Sequence, residues 1–117
     1  MFKYLTPALL MIAFVTGCKK NSIAKNVPAC IDAEIKKIEN DTHPYIREVV
    51  EYFFEGKTVY AFEPDEHVIS DAPTFIKDST CNNVCSVGGY GISDVTRCNG
   101  VKFYDNAMKK RVIWEKK

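Results

Sequence analysis

The chain has 117 residues, room for one small domain, and its 46% hydrophobic, 12% aromatic and 26% charged residues make an ordinary globular composition. That balance excludes a disordered chain, a collagen-like repeat and a coiled coil. Sixteen basic against fifteen acidic residues leave a net charge of +1, and so neutral a domain lacks the basic footprint that nucleic acid binding requires.

Residues 1–17 read as a lipoprotein signal peptide, with Lys3 as the positive start and Leu5 through Val15 as the apolar run. The run is too short to span a bilayer, which takes about 20 apolar residues. Val15-Thr16-Gly17-Cys18 resembles a bacterial lipobox, so Cys18 is the expected lipidation site. Two or three acyl chains there would make a lasting anchor where one would not. Residues 18–29 then form the lipidated Cys and a polar tether carrying Lys19, Lys20 and Lys25 and no acid. Its eleven residues after Cys18 reach about 36–40 Å when extended. No Asp follows Cys18 to favour inner-membrane retention. The expected address is the bacterial cell envelope, on the outer membrane facing the periplasm.

Residues 30–117 read as a single α+β domain, one N-terminal amphipathic helix on a small antiparallel sheet. The helix covers Ala29 to Asn40, because Ile31, Ile35 and Ile38 repeat at helical spacing and Pro44 forbids continuation. Tyr45–Phe54 and Thr58–Glu63, linked by Glu55-Gly56-Lys57, read as a hairpin. Their apolar residues do not alternate cleanly, so either face fits the core. Thr74–Lys77 and Val84–Val87 read as a second hairpin around Asp78–Asn83. A loop follows at Gly88-Gly89-Tyr90-Gly91, and the tail segments Val101–Tyr104 and Arg111–Trp114 form either a last hairpin or a short helix and a strand.

Beyond Cys18, four cysteines remain, Cys30, Cys81, Cys85 and Cys98. An even count in a small exported domain predicts two disulfides, and the three-residue spacing of Cys81 and Cys85 fits neither a redox CxxC motif nor a zinc knuckle. Three connectivities are open.

Cys30-Ile31, the hairpin Glu51–Tyr60, Val84-Cys85 before Gly88-Gly89, Cys98 and the closing Val112-Ile113-Trp114-Glu115 occur in this order. Together they resemble a family of small bacterial cell-envelope lipoproteins carrying a domain of unknown function, over about residues 29–115. The sequence departs from that family at Gly91–Val95, where a Gly-Asp-Gly turn is usual, and at Glu63–His67, where a cysteine pair is common. The resemblance implies fold and compartment and brings no activity.

Candidate sites are few. Asp65, Glu66 and His67 supply carboxylate and imidazole that suit a hard cation or zinc, but their spacing matches no calcium loop and an exposed turn accounts for them. Gly88, Gly89 and Tyr90 could offer backbone N–H groups to an anion, without the lysine or helix of a P-loop. His43 reads as a loop residue. Tyr45, Tyr52, Phe53, Phe54, Tyr60 and Phe62 form either a stacking face or, more simply, core. No nucleophile–base motif occurs, and no cofactor is expected. From Val101 to Lys117 the charge is +4, and from Asn26 to Gly100 it is −7. A basic tail of this kind is solvated, or it meets anionic lipid or an acidic patch of its own domain. The function expected is a non-enzymatic binding or interaction module, membrane-held through the lipid anchor, with an envelope protein or glycan as partner and no nucleic acid. The alternatives are an inhibitor of a secreted enzyme presenting Gly88–Asp94, or a small metal-dependent hydrolase using His67.

Overall fold

In the computed structural model, residues 22–42, 44–69, 71–89 and 96–117 are described. Cys18, His43, Tyr90 and the Gly91–Val95 turn lie outside them. The described elements are α1 (Ala29–Glu39), β1 (Ile46–Phe54), β2 (Lys57–Pro64), β3 (Thr74–Asp78), β4 (Asn83–Val87), β5 (Arg97–Cys98), β6 (Val101–Lys102), α2 (Phe103–Asn106) and β7 (Met108–Glu115). The fold is α+β, a five-stranded antiparallel sheet in the order β4-β3-β2-β1-β7 with α1 on one face.

The helix forms as its pattern requires. Ile31 and Ile35 are fully buried, each contributing about 1.5–3 kcal/mol by leaving water. Asp32 lies in the first turn and Lys36 and Lys37 in the last, matching the helix dipole. Asn40 caps the end, its N–H donating back to the Lys36 carbonyl. Pro28 stands just before the first turn, at the N-cap.

The central hairpin turns on two residues. Glu55 and Gly56 both have positive φ, 51° and 82°, the type I′ geometry that suits the twist of a hairpin. Phe54 therefore pairs with Lys57, and the register runs without a break back to Glu48 opposite Glu63. A bulge at Arg47 then shifts it, so that Ile46 faces Pro64.

Both faces of this sheet are buried. Against α1 pack Ile46, Val49, Tyr60, Phe62, Ile113 and Trp114. On the other face Val50, Tyr52, Phe54, Val59, Ala61 and Ile76 meet Cys98 of the small β5–β6 hairpin and Phe103 of α2. The tail is thus the short helix and strand, and it covers the second face. Of the six hairpin aromatics, Tyr52, Phe54, Tyr60 and Phe62 are core, while Tyr45 and Phe53 stay exposed.

Two disulfides, Cys30–Cys81 and Cys85–Cys98, hold the layers together. The first is prepared by Asp78, whose carboxylate accepts from the N–H groups of Thr80 at 2.9 Å and Asn82 at 3.0 Å. That turn carries Cys81, at φ 67°, to the start of α1. The second pins the β5–β6 hairpin to β4. The basic tail finds acids of its own domain: Arg111 and Lys110 meet Glu51, and Lys116 meets Asp65.

The bridges span 51 and 13 residues. Chain-entropy scaling gives about 4 kcal/mol for the longer loop and about 3 kcal/mol for the shorter. Replacing Cys30 and Cys81 by Ser should therefore cost about 1 kcal/mol more than replacing Cys85 and Cys98. Urea unfolding of the two double variants measures the difference; an equal or reversed order would contradict the loop-length account.

Candidate functional site

The residues singled out in the sequence part company in three dimensions. Asp65 turns inward to hold the chain. Its backbone N–H donates to the Tyr45 carbonyl at 2.6 Å, and its carbonyl receives the N–H groups of Val68 and Ile69, both at 3.0 Å. Its carboxylate accepts from the His67 N–H at 2.9 Å and from the Lys116 ammonium. Lys116 in turn donates to the Pro44 carbonyl. The Lys116 hydrogen bond, followed by that of the His67 N–H, holds the Asp65 carboxyl below its usual range. It is the backbone of His67 that Asp65 engages, while the side chain of His67 is exposed. Among the described residues no three His, Cys, Asp or Glu side chains gather as metal ligands do.

Glu66 instead joins Gly88 and Gly89 in a cleft of about 580 Å³ on the α2 side of the sheet, where Arg47, Glu63 and Tyr104 also line the wall. Gly89 shapes that wall. It has φ +95°, and a Cβ there would lie 3.1 Å from the Pro73 Cβ, so a larger residue would both strain the backbone and push Pro73 aside. Tyr90 lies outside the described residues.

Glu63 on the cleft wall belongs to a carboxyl pair. Glu48 and Glu63 are cross-strand neighbours, and Arg47, displaced by its bulge, reaches both, at 3.3 Å and 3.4 Å. Burial pushes the Glu63 carboxyl up, and the Glu48 charge pushes it further, against the lowering pull of Arg47. The hydroxyl of Tyr104 donates to Glu63 at 3.4 Å. Burial and the Glu63 charge raise that hydroxyl above the ordinary phenol range. Tyr52 beside it is pushed up to about 12, again by burial first and Glu63 second. The Tyr104 ring is held by edge-to-face contacts with Phe103 at 5.0 Å and Tyr52 at 6.0 Å, yet half of it remains open to solvent. The cleft therefore offers a guanidinium, carboxyl groups able to accept and, when protonated, to donate, and a fixed aromatic ring.

Sequence reading missed Arg47, Glu63 and Tyr104 as a group. One signal was present: a two-residue Glu55-Gly56 turn, counted back from Phe54 and Lys57, already sets Glu48 opposite Glu63. Nothing local in the chain pointed to Tyr104, which arrives from α2, 41 residues from Glu63.

The two perturbed carboxyls have opposite signs in stability. With Glu63 raised in the fold, its unfolded form loses the proton first as pH rises, so stability falls between the ordinary and the raised value. With Asp65 lowered, its contribution is present above the ordinary range and is lost as pH falls through the folded value. Glu63→Gln should thus gain on the parent protein as pH rises from acid to neutral. Asp65→Asn should be destabilised at neutral pH and converge with the parent in acid. Denaturant titrations across that range check both; differences that stay constant with pH would refute the assignments.

Comparison with known proteins places the chain. The model of one family, Domain of unknown function (DUF6970), matches residues 33–116. No curated protein and no solved structure matches it.

Proposed function

Because the chain belongs to this family of domains of unknown function (DUF6970), we propose that it is a lipid-anchored cell-envelope protein whose domain is a binding module, with the cleft of Arg47, Glu63, Glu66 and Tyr104 as its ligand site. Cys18 bears the anchor in this reading, and the outer membrane facing the periplasm is its place. Support for the anchor comes from Val15-Thr16-Gly17-Cys18 and the short apolar run before it. Among the described residues no helix is long and apolar enough to cross a membrane.

One observation carries the binding role. The cleft sets a half-exposed tyrosine ring among donors and acceptors that can satisfy many hydroxyls at once, the combination that binds a sugar. An envelope glycan is therefore the ligand class we favour over a protein partner. His67 of the hydrolase alternative stands exposed and does not line the cleft. Of the loop in the inhibitor alternative, the residues from Tyr90 to Asp94 lie outside the described segments.

The test separates anchor from ligand. In cells, Cys18→Ala should abolish acyl labelling and leave unprocessed precursor; undiminished labelling would refute the anchor. Titrating the purified protein with soluble cell-wall glycan fragments should give saturable binding that Tyr104→Ala weakens about tenfold, the roughly 1.4 kcal/mol of one lost stacking contact. Binding that Tyr104→Ala leaves unchanged, or no binding to any fragment, would refute the glycan role of the cleft.

A further inference from the structure

The chain enters the domain along an edge of the sheet. The Ala24 N–H donates to the Ile113 carbonyl at 2.9 Å, and the Arg111 guanidinium donates to the carbonyls of Lys25 at 2.9 Å and Asn26 at 3.2 Å. Ser22 lines a groove of about 500 Å³ with the end of β7 and with Lys116 and Lys117 beyond it. Residues 22–26 thus run antiparallel to β7, and followed backwards they leave the fold at its C-terminal end. There Lys116 bonds Arg47 and Glu115 pairs with Glu48. Only six peptide units separate Ala24 from Cys18, a span of at most about 20–22 Å when fully extended.

That end of the sheet is also where large apolar side chains stand open. Tyr45 is 40% exposed, Val68 50% and Ile69 42%. They are brought there by Asp65, which binds the Tyr45 carbonyl through its own N–H and the N–H groups of Val68 and Ile69 through its carbonyl. The exposed apolar pair Phe53 and Met108 is matched across β1 and β7 at the opposite end. Lys116, ion-paired with Asp65, and Lys117 follow β7 at the exit end, and Lys19 and Lys20 lie in the short span itself.

Resting on the anchor reading of Cys18, we propose that the domain is seated on the bilayer that holds its lipid, with Val68, Ile69 and Tyr45 in the headgroup region. The occupant of this surface is the lipid itself. A span that short, ending at the apolar end, brings these side chains to the interface. Apolar groups then gain by leaving water, tyrosine suits the half-wet boundary, and each lysine beside anionic headgroups adds attraction.

The full-length acylated protein is placed in vesicles of phosphatidylethanolamine and phosphatidylglycerol doped with phosphatidylcholine brominated high on its acyl chains. The parent chain, with Trp114 alone, supplies the background. A tryptophan introduced by Ile69→Trp, sitting about 5–10 Å into the headgroup–acyl boundary, should lose about half its emission to the bromines. Phe53→Trp, at the far end, should lose none, and Val68→Trp serves as a second probe of the docked end. The mass of the N-terminal peptide reports acylation separately. Acylated, vesicle-bound protein in which Ile69→Trp and Val68→Trp are quenched no more than Phe53→Trp would overturn the seating and leave the anchor standing; this is also the outcome if a protein covers the turn. A chain without an acyl group on Cys18 would overturn both.

Discussion

A charge buried in the middle of β1 governs how the rest of this molecule is put together. Glu51 is only 7% exposed, on the strand that lies between β2 and β7. An unpaired carboxylate there would be costly, so it must be met by partners. Arg111 of β7 donates to one oxygen at 2.5 Å, and Tyr60 of β2 donates to the other at 3.3 Å. Burial followed by the Glu51 charge pushes the Tyr60 hydroxyl up to about 12, so it remains a donor throughout the physiological range. One side chain thereby ties three adjacent strands together. The same guanidinium also holds the Lys25 and Asn26 carbonyls, so the pairing that neutralises Glu51 fixes the path of the chain ahead of α1.

The consequences run to both ends of the sheet. At one end the Asp78 turn and Cys30–Cys81 close α1 over its face. At the other, Glu39 accepts from the Trp114 indole at 2.8 Å, and Lys116 joins Asp65 and Pro44. The cleft also lies at this second end, because the Arg47 bulge that shifts β1 against β2 is what frees that guanidinium to reach Glu48 and Glu63. A proposed ligand site and the proposed point of attachment therefore share one end of a rigid sheet.

The helix and the two hairpins were legible because each follows from local chemistry. Helical spacing of Ile31, Ile35 and Ile38, a type I′ Glu55-Gly56 turn and the Asp78 side chain act over a few residues. The face of β1 was not legible. Val49 and Val50 read as non-alternating because the middle of β1 is covered on both sides, so apolar residues occupy both parities, and the exposed Phe53 beside the buried Phe54 blurs the pattern further. Arg111–Trp114 was obscure for another reason: the register of β7 slips beside Val49 and Val50, and Ile113 and Trp114 both reach the α1 face. The acidic triplet Asp65, Glu66 and His67 looked like a unit only because its members are consecutive. In the fold Asp65 and Glu66 serve different surfaces.

By itself the sequence determined what depends on composition and near neighbours: an α+β fold, its helix, its hairpin turns, four cysteines beyond Cys18 and the resemblance to a domain of unknown function. Tertiary structure alone decided the disulfide pairing, the burial of both sheet faces and the cleft. The reason is distance along the chain. Cys30 meets Cys81 across 51 residues, Tyr104 meets Glu63 across 41, and Arg111 meets Lys25 across 86. Contacts so far apart leave no periodic trace in the sequence, and they exist only once the strands between them have paired.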